Sequence, residues 1–262
     1  MLTAQARLRR MQRAIRWRSK GEVQPTKHVL SYGGGVNSTA LMVILLREEY
    51  PLDDVVFADT GAERPETYRY LRIAHSFLKN HGLKLQILKS KNGSLLDTCR
   101  KRKVIPSMVW RWSTRDYKIT PIYAYYRSLE CHVNQYVGIA SDEIDRMKDS
   151  FSEYVTNVYP LVDLAMSRED CVRVIREAGL PIPTKSGCFF CPFNTIERWH
   201  DLYQRQRPLY IKAMRLEERS KHFPKQRLTS VTLRGLALQF KRGRIPNAAS
   251  SPETPCGSEC MT

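Results

Sequence analysis

The sequence predicts an α/β fold: a doubly wound parallel sheet followed by a mostly helical region that carries cysteines. Three observations predict it. Short apolar strand patterns alternate with amphipathic helix patterns over residues 28 to 140. The first strand pattern breaks into Gly33-Gly34-Gly35 and then opens a helix. The second strand pattern ends in Asp59-Thr60-Gly61, which puts an acid and a hydroxyl at a strand's carboxyl end, where open parallel sheets hold their ligands.

The elements follow in order. Residues 1–27 read as a basic arm. Arg7, Arg9, Arg10, Arg13, Arg16, Arg18, Lys20 and Lys27 face one acid, Glu22, and Leu8, Met11, Ile15 and Trp17 interleave with them in the manner of an amphipathic basic helix. Residues 28–180 read as the nucleotide-binding α/β domain. Its strands fall at 28–32, 54–58, 84–89 and 134–140, and its helices at 37–50, 65–80 and near 116–130. Residues 90–115 lack clear periodicity and carry Asn92-Gly93 and Pro106, so they read as an active-site loop or lid. Ser167 and Asp170 have the spacing of a capping box, which starts a helix ending near Gly179. Residues 181–245 read as mostly helical, and 246–262 as a Pro/Ser-rich flexible tail with two cysteines.

Composition narrows the function classes. A chain of 262 residues buries one sizeable core, with room for a small appended lobe. No apolar run approaches the ~18 residues that span a bilayer, and the basic N-terminus lacks an apolar signal segment, so a cytoplasmic protein without membrane contact is expected. The net charge of +17 points to a polyanionic partner, DNA or RNA. A second basic region runs from Arg198 to Arg244, with Tyr203, Tyr210 and Phe223 as candidate stacking rings.

The glycine turn suits a phosphate. Without Cβ atoms, Gly33, Gly34 and Gly35 let bare N–H groups approach an anion, and Ser31, Ser38 and Thr39 add hydroxyl donors. No lysine follows the glycines, so the turn is not a G-x-x-x-x-G-K-[ST] loop, and a third glycine is missing for G-x-G-x-x-G. A ligand-free glycine turn is the plain alternative. Asp59 and Thr60 would lie beside it. Arg111, Arg115 and Lys118 set three cations in eight residues, suited to a triphosphate or to a solvated helix face. Glu143 and Arg146 have the spacing of a local helical ion pair.

Gly34-Gly35-Val36-Asn37-Ser38 resembles the pyrophosphate loop of the PP-loop ATP pyrophosphatases, within them the phosphoadenosine phosphosulfate (PAPS) reductase-like group. Phe57 to Gly61, Arg111 to Pro121, Gly138 to Arg146 and Ser186 to Pro192 extend the likeness in the family's order. The resemblance implies an adenine nucleotide alpha hydrolase-like fold and a site for ATP with Mg²⁺. It gives Lys118, Arg111, Arg115, Asp59 and Glu143 catalytic roles. It places the nucleotide on Ser31, Gly33, Gly34, Gly35, Asn37, Ser38, Thr39, Asp59, Thr60, Gly138 and Arg146, with Asp142 a lesser candidate for magnesium. Asn37 stands where the family loop usually has aspartate.

Seven cysteines, an odd number, argue against a disulfide scaffold. Cys188-Phe-Phe-Cys191 presents two thiols to a Zn²⁺ ion or a [4Fe–4S] cluster, forms a redox pair, or is structural. Related iron–sulfur reductases carry cysteines where this chain has Trp112 and Ser113, so further metal ligands would have to be Cys99, Cys256 or Cys260. Cys131 and Cys171 fall in helix patterns and read as buried packing residues.

The resemblance implies an ATP pyrophosphatase that adenylates a substrate, for sulfur transfer to or modification of a nucleic acid. A thiol-dependent PAPS or adenylyl-sulfate reductase and a non-catalytic nucleic-acid-binding module are the alternatives. A homo-oligomer and a sulfur-donor protein are further partners to expect.

Overall fold

The computed structural model describes residues 25–150 and 152–246. Strands β1 (Thr26–Ser31), β2 (Asp54–Asp59), β3 (Leu85–Lys89), β4 (His132–Val137) and β5 (Val155–Val158) form one sheet in the order β3-β2-β1-β4-β5. Every pairing is parallel. The chain winds outward from β1 through β2 to β3, then crosses back to place β4 on the other side of β1. That reversal opens a crevice between the carboxyl ends of β1 and β4, where Ser31 pairs with Val137.

The strands bury both faces, as parallel strands between helical layers must. Leu30, Val55 and Phe57 point to one side, Val29, Val56 and Ala58 to the other. The first side is covered by α1 (Val36–Arg47), α2 (Pro65–Lys79) and α5 (Arg168–Glu177), the second by α4 (Thr120–Ser128). Helix α1 is buried from Val36 to Leu45 and has no side-chain N-cap. Packing rather than capping holds it, at about 1.5–3 kcal/mol for each fully buried Leu, Ile or Met. Helix α5 starts at the expected capping box: Ser167 accepts from the Asp170 N–H, and Asp170 accepts from the Ser167 N–H.

A second core gathers α3 (Leu95–Arg102), α6 (Ile196–Arg205), α7 (Arg207–Glu218) and α8 (Leu233–Lys241) around Trp199, Tyr210 and Phe190. Buried Glu217 ties this layer together, accepting from the Leu228 and Leu233 N–H groups at 2.9 and 2.7 Å.

Two expectations need correction, and one strand was not expected. The supposed lid at 90–115 contains α3, whose Ser94 N-cap accepts from the Asp97 N–H. The charges from Arg100 to Lys103 break the apolar period that would have shown it. The helix near 116–130 opens as a π turn over Arg115–Ile119. Strand β5 escaped notice because its four residues carry only two apolar side chains. The basic arm before residue 25 and the tail after 246 lie outside the described residues.

Candidate functional site: a phosphate cradle and a thiol pocket

At the end of β1 the chain passes through Gly33-Gly34-Gly35 into α1, with Gly34 at φ +72°, a conformation that favours glycine. The N–H groups of Val36, Asn37 and Ser38 begin α1 and have no earlier turn to bond to. On the far side of the crevice, Gly138 follows β4 so closely that a Cβ there would lie 2.8 Å from the Ser38 nitrogen. Only glycine lets the two backbones meet.

These residues open into a cleft of about 920 Å³. Ser31, Gly33, Gly35, Asn37 and Ser38 line one side, and Gly138, Asp142, Glu143 and Arg146 another. Asn37 donates through Nδ2 to Glu143 Oε2 at 2.9 Å, and Arg146 Nη1 donates to Glu143 Oε1 at 2.7 Å. Glu143 and Arg146 thus form the expected local ion pair, on a 3₁₀ turn over Ser141–Arg146, and line the cleft as well. Asn37 Oδ1 and two guanidinium nitrogens of Arg146, Nε and Nη2, are buried with no hydrogen-bond partner among the described residues. Buried polar atoms left bare in a cleft suit a polar ligand.

The remaining wall comes from the start of α2, the start of α5 and the chain beyond α5. Arg64, Arg168, Lys185, Ser186, Arg198 and Arg205 face the cleft, with Glu66, Glu197 and Asp201 among them. Arg64 donates to Asp201 at 2.6 Å, and Arg205 pairs with the same carboxylate at 3.0 Å. None of these cations was singled out as a nucleotide ligand from the sequence. Arg64, Arg168 and Lys185 carry no local signal in the sequence, and Arg198 and Arg205 belong to the basic region expected to contact nucleic acid. Its rings also differ: Tyr203 and Tyr210 are buried in the second core and cannot stack on bases, while Phe223 is partly exposed.

Other candidates lie elsewhere. Thr39 is fully buried against the Tyr32 hydroxyl at 3.0 Å. Asp59 accepts through Oδ1 from the Gly61 N–H and the Tyr68 hydroxyl, both at 2.8 Å, and closes the turn after β2. Arg115 is exposed and pairs with Asp116. Arg111 and Lys118 do not line the cleft. They line a second, small cavity of about 30 Å³ with Thr60, Ser113, Cys188 and Cys191. Nε and Nη2 of Arg111 are buried without a hydrogen-bond partner among the described residues. Lys118 reaches the cavity from the π turn, a distortion frequent at functional sites.

A short antiparallel contact joins the two cavities. The Phe189 N–H donates to Ala62 O, and the Arg64 N–H donates to Gly187 O. Arg64 and Ser186 face the cleft, Thr60 and Cys188 the thiol cavity. The Thr60 hydroxyl donates to buried Glu63 at 2.9 Å and lies 3.3 Å from Cys188 Sγ. The Cys191 N–H closes on Cys188 O at 3.1 Å, and both residues of this turn line the cavity.

Metal-holding capacity is limited. No group of three His, Cys, Asp or Glu side chains able to hold a metal occurs among the described residues. Cys99 sits in the second core with its thiol pushed up to about 12 by burial. A four-cysteine cluster therefore does not fit the described residues, and Cys256 and Cys260 lie outside them. Cys171 is buried as expected and is likewise raised to about 12, chiefly by desolvation. Cys131 differs from its expectation, being half-buried at a bend rather than within a helix. Magnesium needs less from a protein, since substrate phosphates supply most of its oxygens, and the cleft offers Asp142. No described helix is long and apolar enough to cross a membrane.

The family model of the phosphoadenosine phosphosulfate reductase domain matches residues 27–183. The chain belongs to that family. Two solved structures are similar to this PAPS reductase-family chain. The U34-tRNA thiolase NcsA from Methanococcus maripaludis, with its [4Fe-4S] cluster, is 13% identical with a TM-score of 0.50, over 89% of this chain and 88% of that one. The phosphoadenylyl-sulfate reductase from Candida auris, in a phosphate complex, is 16% identical with a TM-score of 0.47, over 70% of this chain and 90% of that one. No curated protein sequence matches the chain significantly. The match to the PAPS reductase domain ends at 183, just before Thr184, Lys185 and Ser186 complete the cleft.

Proposed function

We propose that this PAPS reductase-family protein is a PP-loop ATPase that adenylates a nucleic-acid substrate and releases pyrophosphate, in preparation for transfer of sulfur or another nucleophile. The observation that carries the reading is the glycine cradle at the sheet's switch point. It opens into a cleft where Asn37 Oδ1 and Arg146 Nε and Nη2 lack partners among the described residues. Three consecutive glycines at that corner suit a departing pyrophosphate, which a reductase does not release.

In the proposed reaction a substrate oxygen attacks the α-phosphorus of ATP. A new P–O bond forms, the bond to the α–β bridging oxygen breaks, and pyrophosphate leaves with that electron pair. The N–H groups of Gly33 to Ser38 hold the pyrophosphate where its charge grows, with Arg146, Lys185 and Arg198 opposite. Magnesium, when bound with the nucleotide, neutralises phosphate charge. The acceptor then carries AMP until a nucleophile displaces it. Arg111 and Lys118 would act at the acceptor end, beside Cys188 and Cys191. NcsA, a tRNA thiolase of similar fold, is consistent with a nucleic-acid acceptor.

The test incubates the protein with ATP, magnesium and RNA or DNA, and follows pyrophosphate. Pyrophosphate released with AMP in step with acceptor supports the reading. Sulfite released from PAPS with a thiol donor, and no pyrophosphate from ATP, overturns it.

A further inference from the structure

Two basic segments far apart in sequence meet on one surface. The Lys221 N–H donates to Lys103 O at 2.8 Å, and Gln226 Nε2 reaches Ile105 O at 3.5 Å. This lays the 221–227 loop along the end of α3 and brings Lys101, Arg102 and Lys103 beside Lys221, Lys225 and Arg227. All six are exposed.

An apolar tip rises next to them. Met108 is 46% exposed, Val109 95% and Trp110 75%. Single exposed apolar residues are ordinary on a protein surface, but three in a row on one loop form a patch. The Ser107 hydroxyl fixes the tip by accepting from the Val109 and Trp110 N–H groups at 3.2 and 3.3 Å. Two residues on, Trp112 packs edge-on against Tyr117 in the second core. Of these two indoles one is therefore packed against the core and the other turned outward. Pro106, Ser107 and Arg111, on either side of the tip, line the thiol cavity.

We propose that this surface docks an unpaired loop of a folded RNA. A base of the loop stacks on Trp110, and its phosphates follow the six cations towards the thiol cavity. An indole on a hydrogen-bonded tip amid lysine and arginine suits a base already unstacked. Folded RNA displays such bases in its loops, whereas duplex DNA hides them. The inference rests on the reading above in taking a nucleic acid as acceptor, and it adds which kind and where it binds.

The experiment measures binding without ATP, by anisotropy of a labelled RNA hairpin with an unpaired loop. The same hairpin in DNA and a fully paired RNA serve as comparisons. The RNA hairpin is expected to bind tightest. Trp110→Ala weakens it roughly 10-fold or more, and Trp110→Phe restores much of the loss. Lys101→Glu with Lys225→Glu lowers the slope of log affinity against log salt by about 1.5. Unchanged affinity in Trp110→Ala, or equal binding of the DNA hairpin or the paired RNA, overturns the proposal. Pyrophosphate release is assayed separately. If it persists while RNA binding ignores Trp110, the docking site falls and the ATPase reading stands. If Trp110 governs binding but no pyrophosphate appears, the reverse holds.

Discussion

Gly138 and Ser38 touch backbone to backbone: a Cβ at 138 would lie 2.8 Å from both the nitrogen and the Cα of Ser38. The glycine after β4 thereby seats the first turn of α1 against the sheet. Gly138→Ala is expected to push α1 out of place, lowering stability by about 1–3 kcal/mol and weakening ATP binding. Thermal unfolding with and without ATP measures both. Gly34→Ala should act differently. Its neighbours stand at an ordinary 3.6 Å, but its φ of +72° strains any other residue, at about 1–2 kcal/mol.

Asn37 bridges the cradle to the turn after β4 by donating to Glu143. Asn37→Asp, which restores the family's usual residue, would set two carboxylates face to face. A loss of about 1–3 kcal/mol is expected, relieved when Glu143→Gln is added. A double-mutant cycle in urea checks it. Additive single losses would show that the two side chains do not cooperate.

Glu217 is wholly buried and holds the backbone N–H groups of Leu228, in the loop before α8, and of Leu233, the first residue of α8. Glu217→Ala leaves both without a partner and is expected to lower stability by roughly 2–4 kcal/mol, with early loss of α8. Hydrogen exchange at Leu228 and Leu233 would report it.

Two histidines set an acid limit. Burial lowers the pKa of His28, which lies 3.1 Å from the Tyr136 hydroxyl, and of His132, which lies 2.9 Å from the Thr156 hydroxyl. Both are lower folded than unfolded, so the unfolded chain takes up protons first. Their contribution is complete above about pH 6.5 and is lost as pH falls through the folded values. The melting temperature should therefore drop between pH 7 and 5, and His28→Gln with His132→Gln should flatten that drop.

Thiol reactivity should split the cysteines. Burial holds Cys99 and Cys171 as neutral thiols with pKa values of about 12. Alkylation of the native protein is expected to mark Cys131 and Cys188 well before either, as read by peptide mass spectrometry. Early modification of Cys99 would mean that α3 opens.

The sheet was legible because its strands are apolar runs and its first turn is three glycines, both local signals. Gly33 to Ser38 needed no partner to be found. The cleft's other wall was not legible as such. Arg64, Lys185, Arg198 and Arg205 look like any surface cations until the 61–64 and 187–189 segments pair. Arg111 and Lys118 were noticed as charges, but only the π turn and the second core decide that they face the cysteines. Nothing in the sequence around Trp110 sets it apart from Trp112. Its outward turn is a matter of tertiary packing, which no local pattern encodes.

The pairing of Arg64 with Gly187 has one more consequence. It fastens a late part of the chain, outside the family's shared span, into the wall of the cleft that the glycine turn opens into, and that turn lies within the span. Two relatives with identical glycine turns but unlike sequences past position 183 would thus keep the same lock behind different doors. Swapping that stretch between them should change which molecules enter while leaving the grip on phosphate intact.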